Sequence, residues 1–325
     1  MRVLITGAAG FIGSNYVRRL LSGAYGASGV RVTALDKLTY AGNLENLAPV
    51  REDPRLTFVR GDICDARLLA ELMPGHDAVV NFAAETHVDR SIDGADAFVR
   101  TNVLGTAAVL QAAKDARVPR VVHVSTDEVY GSIDSGSWTE ESPLLPNSPY
   151  AAAKAGADLL ARAFARTHGL DVSVTRCSNN YGPYQYPEKV IPLFVTTLLT
   201  GGTVPLYGDG LNVRDWLHVD DHCRGVHLVL EKGRPGEAYN IGGGQELTNR
   251  RLTTLLLEAC GAGPERVRAV PDRPGHDRRY SINDAKLRAL GYRPRVAFSE
   301  GLASTVAWYR DNPRWWRPLR RDTAA

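Results

Sequence analysis

The chain has 325 residues, 44% of them hydrophobic, with 31 glycines and 18 prolines, enough to bury a large core and divide into two lobes. Its 39 basic and 36 acidic residues are spread throughout and leave a formal charge of +3, so there is no basic stripe for a nucleic-acid backbone, while an anionic small molecule remains a fitting partner. Cys64, Cys177, Cys223 and Cys260 lack CxxC spacing and read as reduced, mostly buried thiols, and no run reaches membrane-span length.

In chain order, Arg2 to Thr6 reads as a buried strand, followed by a Gly turn and a helix over Phe11 to Leu21. Strands follow at Arg31 to Leu35, Leu56 to Val59, Ala78 to Phe82 and Arg120 to Val124. Helical spacing recurs at Ala66 to Met73 and Ala97 to Ala116. This alternation predicts right-handed βαβ crossovers and a doubly wound parallel sheet with helices on both faces. It continues to a strand at Asp171 to Thr175, then loosens into Gly- and Pro-rich stretches such as NNYGPYQYPEK and LYGDGLNVRDWLH. Irregular connections of that kind build binding surfaces on a rigid scaffold. We therefore expect a nucleotide-binding domain over 1–177, with a return segment near 213–232, and a smaller mixed α/β lobe over 178–325. The N-terminus enters its strand without a signal-peptide pattern, so the expected location is the cytoplasm.

Gly7, Gly10 and Gly13 in TGAAGFIG follow the first strand and open the first helix. A pyrophosphate site needs such a tight turn, close backbone approach and a helix N-terminus facing the phosphates. A glycine triplet alone also suits a plain strand-to-helix turn. Asp36 closes the second strand at the distance where a carboxylate accepts from ribose hydroxyls, though a turn aspartate is the bland alternative. A carboxylate there repels the extra phosphate of NADP, so NAD is favoured, with Lys37 acting slightly against. Asp62 and Ile63, in GDIC, stand where an adenine edge is read.

The segment VSTDEVYG brings Thr126, Asp127 and Glu128, and YAAAK brings Tyr150 and Lys154. A hydroxyl, two carboxylates, a phenol and an ammonium at the mouth of such a sheet suit the movement of both protons and a hydride. A free tyrosine has a pKa of about 10, and each unit of lowering takes about 1.4 kcal/mol. Lys154 and a positive nicotinamide ring are expected to supply several units and make Tyr150 a base. Taken alone, YxxxK is equally a packed Tyr and a solvated Lys, and Asp127 with Glu128 a solvated strand-end pair.

TGAAGFIG, STDEVYG, YAAAK and NNYGPYQYPEK together resemble the extended short-chain dehydrogenase/reductase family, and the adjacent Thr, Asp and Glu are similar to its dTDP-glucose 4,6-dehydratases. HVDRS at 87–91, PLYGDG at 205–210 and DRPGHDRRY at 272–280 also match, so the likeness covers nearly the whole chain. It implies a Rossmann-type fold and NAD held by Gly7, Gly10, Phe11, Ile12, Gly13, Asp36, Lys37, Leu38, Thr39, Asp62, Ile63, Phe82, Ala83, Ala84, Thr101, Tyr150, Lys154 and Asn180. It implies that Tyr150 takes the C4 hydroxyl proton of glucose while hydride passes to NAD, that Thr126 aims the C4 oxygen, that Glu128 takes the C5 proton, and that protonated Asp127 donates to the departing C6 hydroxyl. Hydride then returns to C6. For dTDP-glucose it implies Thr86 and Thr126 at the sugar, and Asn179, Lys189, Pro205, Tyr207, Arg214, Asn249, Arg273, His276 and Tyr280 around the nucleotide diphosphate. Spacing alone leaves Arg214 and Arg273 as candidates for surface ion pairs and His276 as a structural histidine.

The sequence departs from its relatives at Ala151 and Ala153, where a Ser is common, and in a long SGAYGASG stretch at 22–29. A nucleotide-sugar 4-epimerase shares the glycine turn, Tyr150 and Lys154 but needs no acid at C6. GDP-mannose dehydratases are disfavoured by Asp36, and a non-catalytic NAD-binding sensor by the presence of Tyr150 and Lys154. Alanine-rich faces at 97–116 and 150–167 suit pairing across a two-fold axis, so a homodimer through a four-helix bundle is expected. No metal, nucleic-acid or membrane partner is expected.

Overall fold

The computed structural model describes residues 1–26, 29–272 and 275–320. The first half builds β1 (Arg2–Thr6), α1 (Phe11–Leu21), β2 (Arg31–Asp36), β3 (Leu56–Arg60), α2 (Ala66–Leu72), β4 (Ala78–Asn81), α3 (Val88–Asp93) and α4 (Asp96–Phe98). A π-helical turn over Val99–Gly105 follows, then α5 (Thr106–Asp115), β5 (Arg120–Thr126), α6 (Pro149–His168) and β6 (Val172–Cys177). The second half adds β7 (Asn179–Tyr181), α7 (Val190–Leu199), β8 (Val204–Tyr207), β9 (Val213–His218), α8 (Val219–Lys232), β10 (Ala238–Ile241), β11 (Glu246–Thr248), α9 (Asn249–Cys260) and β12 (Val267–Val270), with further helices beyond.

Seven strands pair in the order β10-β6-β5-β4-β1-β2-β3, every pairing parallel. β4, β6 and β10 are buried at every position, as strands covered on both faces must be. β1 shows why the sheet divides the core in two. Val3 and Ile5 join Tyr16, Val17 and Leu20 of α1 on one face, whereas Leu4 joins Leu69, Val79 and Val109 on the other. The chain order reverses between β1 and β4, which opens a crevice at their carboxyl ends.

The helix expected at 97–116 is interrupted by the π turn, which a periodicity of 3.6 cannot reveal. Here Asn102 is turned toward the segment after β4, where its amide and carbonyl oxygen bond the Glu85 carbonyl and N–H at 3.0 and 2.9 Å. Several strands also run past their apolar stretch. β5 continues through Ser125 and Thr126, which are buried and register with Arg176 and Cys177 of β6.

Val213–His218 belongs to a separate three-stranded sheet, β11-β9-β7, while α8 packs on α1, β5 and β6 and β10 becomes the last strand of the large sheet. α8 and β10 thus pack with the large sheet, while β9 does not. A third core, including Ile191, Phe194, Leu252, Tyr309 and Trp316, supports the smaller lobe beside the β12-β8 pair. Cys177 and Cys223 are buried, Cys64 and Cys260 half-buried, and all four are free. Among the described residues no helix is long and apolar enough to cross a membrane, and no cluster of His, Cys, Asp and Glu could hold a metal.

Candidate active site

A cleft of about 340 Å³ lies across the carboxyl ends of the central strands. Its floor is the turn after β1, where Gly7 has φ +65°, a region that L side chains rarely adopt. A Cβ on Gly7 would stand 2.7 Å from the Ala83 nitrogen, and one on Gly13 would stand 2.2 Å from the Gly7 carbonyl oxygen. The glycine spacing thus serves close packing of turn, helix and β4 and leaves the α1 N-terminus open toward the cleft, a cradle that fits a dinucleotide pyrophosphate.

Asp36 is buried at the end of β2 and accepts from the backbone N–H groups of Ala9 and Leu38 at 2.9 and 2.8 Å. Burial pushes its carboxyl upward while these bonds oppose the rise. A carboxylate has about four acceptor sites, so ribose hydroxyls can still be received. Leu38 contributes through its N–H and a positive φ of 57°, but its side chain is not in the cleft wall. Lys37 is held by Asp62, Nζ to Oδ2 at 2.8 Å, across the ends of β2 and β3. Phe11, Ile12, Thr39, Ile63, Phe82, Ala83, Ala84, Thr101 and Asn180 all line the cleft, as do Gly10, Lys37 and Asp62.

At the other end, β5 delivers Thr126 directly into a 3-10 turn over Asp127–Tyr130, whose first N–H groups are capped by the Thr126 hydroxyl at Glu128 N. Ser148 caps α6 by accepting from Ala151 N, Pro149 occupies its first turn, and Gly169 at φ +66° ends it. That helix sets Tyr150 and Lys154 into the same cleft wall as Thr126, Asp127 and Glu128. The Tyr150 N–H donates to Ser91 Oγ at 3.1 Å and the Lys154 ammonium to the Val124 carbonyl at 2.6 Å.

Burial, reinforced by the Glu128 and Asp215 carboxylates, pushes Asp127 well above the carboxylate range against the pull of Arg214 and Thr126. Its Oδ2 is buried without a hydrogen-bond partner, as suits a protonated carboxyl awaiting an acceptor. Burial, with the Glu128 carboxylate next, pushes the Tyr150 phenol well above its ordinary value, and the Thr126 hydroxyl bond only partly opposes this.

Thr86, Asn179 and Lys189 line the cleft, and Lys189 Nζ donates to the Thr86 carbonyl at 2.7 Å. Pro205 and Tyr207 on β8, Arg214 on β9, Asn249 opening α9, His276 and Tyr280 lie outside its wall. Arg214 packs over the Tyr280 ring at 4.2 Å and donates to the Asp277 carbonyl, within electrostatic reach of Asp127. His276 pairs with Asp272 at 2.6 Å. Arg273 lies outside the described residues. Sequence reasoning missed Ser125, Gln185, Glu188 and Trp216, all in the cleft wall. Trp216 had a signal, being two residues from Arg214 on β9. Glu188 adjoins Lys189 and accepts from Tyr40 Oη at 3.0 Å.

The family described as GDP-mannose 4,6 dehydratase matches residues 4–305. A dTDP-glucose 4,6-dehydratase of Streptomyces antibioticus is 63% identical over 327 residues, covering 100% of this chain and 97% of its own. A Streptomyces venezuelae dTDP-glucose 4,6-dehydratase solved with NAD and dTDP bound superposes with TM-score 0.97 at 67% identity, over 98% of this chain and 100% of that one. A UDP-glucose 4-epimerase of Thermotoga maritima, solved with UDP-glucose, gives 0.89 at 33% identity, over 96% and 100%. With its fold, glycine cradle and cleft residues alike, the chain belongs to the nucleotide-sugar 4,6-dehydratases of the extended short-chain dehydrogenase/reductase family, on the dTDP-glucose 4,6-dehydratase branch.

Proposed function

We propose that the chain converts dTDP-glucose to dTDP-4-keto-6-deoxyglucose and water, using NAD that ends the cycle as it began. The observation that carries this reading is the Asp127–Glu128 pair, in which one carboxyl is buried, leaves Oδ2 without a hydrogen-bond partner and is pushed upward beside the other, in the cleft that also holds Tyr150. The turn after β1 and Asp36 would hold the dinucleotide. NAD supplies a hydride acceptor for C4, a hydride donor for C6, and a positive ring that opposes the upward push on the Tyr150 phenol.

Tyr150 receives the C4 hydroxyl proton, with Thr126 donating to the phenol and aiming the C4 oxygen. The resulting ketone acidifies C5, where Glu128 takes the proton. Asp127 gives its proton to the C6 hydroxyl, which leaves as water, and as hydride returns to C6 the proton held by Glu128 goes back to C5. Splitting the proton affinities of adjacent carboxyls permits one acid and one base. Arg214, Lys189 and the residues around Tyr280 hold the nucleotide diphosphate, Arg214 with a planar fork suited to phosphate.

A 4-epimerase reading is favoured by the shared fold, glycine turn, Tyr150 and Lys154. An acid that expels a C6 hydroxyl, the role given to Asp127, has no work in an epimerase. Incubation with dTDP-glucose and no added reductant should give a product lighter by one water, and deuterium placed at C4 should appear in the new methyl group. Unchanged mass, or a C4 epimer, overturns the assignment.

Two helical faces remain for self-association. Val99 and Leu104 on the 96–115 run and Leu159 on α6 are exposed apolar side chains, which supports a homodimer through a four-helix bundle. A monomer in sedimentation at all concentrations excludes it. We assign 1–177 with α8 and β10 to the cofactor lobe and the rest mainly to the sugar-nucleotide lobe. The four free thiols suit the cytoplasm.

A further inference from the structure

Arg176 and Asp158 are both fully buried and form a side-on pair, Nε to Oδ2 at 2.7 Å and Nη2 to Oδ1 at 2.9 Å. Arg176 is on β6, between β5 and β10, and Asp158 is on α6, one turn past Lys154 and two past Tyr150. The third guanidinium nitrogen, Nη1, donates to the Tyr130 hydroxyl at 2.7 Å and to the Glu140 carbonyl at 3.3 Å. Tyr130 ends the same 3-10 turn that begins with Asp127 and Glu128, and its ring lies 4.9 Å from the guanidinium carbon. Its hydroxyl donates to Asn240 Oδ1 at 2.8 Å, and Asn240 Nδ2 donates to the carbonyls of Trp138 and Asn283.

One guanidinium therefore ties the turn carrying the acid–base pair to the helix carrying the phenol and ammonium. Resting on the proposed dehydration, we infer that Arg176 is a positioning residue that sets Asp127 and Glu128 against Tyr150 and Lys154, so that oxidation at C4 and elimination across C5 and C6 act on one substrate pose. The two halves are anchored unequally. Tyr150 and Lys154 have their own bonds to Ser91 and Val124, whereas the Asp127–Tyr130 turn packs Val129 and Tyr130 on Ala155 of α6 and has its hydrogen-bonded link to that helix through Tyr130, Arg176 and Asp158. Loss of the guanidinium should therefore impair elimination more than oxidation.

The test uses the NAD-loaded enzyme with C4-deuterated and unlabelled dTDP-glucose in D₂O. Wild-type turnover first establishes the dehydration itself, and failure there strikes the proposed function rather than Arg176. The double variant Arg176→Met/Asp158→Leu removes both charges together, a change that buried ion pairs often tolerate without loss of stability. Elimination, read as water loss and deuterium entry at C5, should fall about 10- to 100-fold, the cost of misplacing a catalytic group by about an ångström. Oxidation, read in a single turnover, should stay near wild type, and reduced nicotinamide should accumulate. Tyr130→Phe keeps the ring against Trp138 but removes the hydroxyl bond, and should show the same split in smaller measure. If the double variant does not fold, Tyr130→Phe decides alone. Equal loss of both half-reactions, or loss of neither, overturns the inference.

Discussion

The Lys154 ammonium donates to the carbonyl of Val124 at 2.6 Å, so a fully enclosed positive charge rests on the end of a central strand. Burial lowers its pKa from 10.5 to about 8, against an upward pull from Cys177 and Asp158. Between those values the unfolded chain binds a proton that the folded chain does not, so stability rises with pH across the window; below about 8 both states are charged and the penalty is complete. Chemical denaturation across this range should show wild type gaining roughly 3 kcal/mol relative to Lys154→Met. Parallel pH profiles for the two proteins would remove Lys154 as the source.

Tyr150→Phe deletes only a hydroxyl from a side chain whose ring is packed edge-on to Phe98. NAD binding should persist, and turnover should fall by about 10²- to 10⁴-fold, the range for a lost general base. Calorimetric titration of NAD and an assay of water loss separate the two effects. Unchanged turnover discredits Tyr150 as the base.

Glu128→Gln and Asp127→Asn should divide the reaction differently from Tyr150→Phe. Both should leave C4 oxidation in place, so reduced nicotinamide forms in a single turnover. Glu128→Gln should also stop deuterium exchange at C5, since its amide cannot take the proton. Asp127→Asn should permit that exchange yet slow departure of the C6 hydroxyl. Normal product formation by either variant contradicts its role.

What the sequence showed follows from where the contacts lie. The glycine turn and the Ser148–Pro149 opening of α6 are local, and their residues and spacing carry their meaning. The elevated Asp127 carboxyl is not local, because it depends on burial and on Asp215 and Arg214, far away in the chain. The upward push on Tyr150 is not local either: YAAAK displays the lysine, whereas burial and Glu128 come from folding. Arg176 lies beyond the strand expected at 171–175 and carries no local sign of its role, because its partners lie on α6 and the 3-10 turn. The π turn, too, carries Asn102, which is bonded to Glu85 in the segment after β4, a pairing that periodicity does not display.

Asp36 gives the sharpest expectation for cofactor choice. Its carboxylate lines the cleft beside the glycine turn, and the nearby Lys37 is paired with Asp62 at 2.8 Å, so a 2′-phosphate bound there would meet a negative local charge. Ala9 N–H donates to Oδ2 and Leu38 N–H to Oδ1, so Asp36→Asn keeps an oxygen for one of the two turn amides, sets an NH2 against the other, and removes the charge. The NADP-to-NAD affinity ratio should therefore rise about 10- to 100-fold, equivalent to roughly 1.4 to 2.7 kcal/mol, with the turn held by one of its two bonds. Asp36→Ala loses the acceptor as well, which leaves two turn amides without their partner and should weaken both cofactors together. Titrating each variant with both cofactors distinguishes charge from scaffold. An unchanged ratio in Asp36→Asn would show that discrimination rests elsewhere.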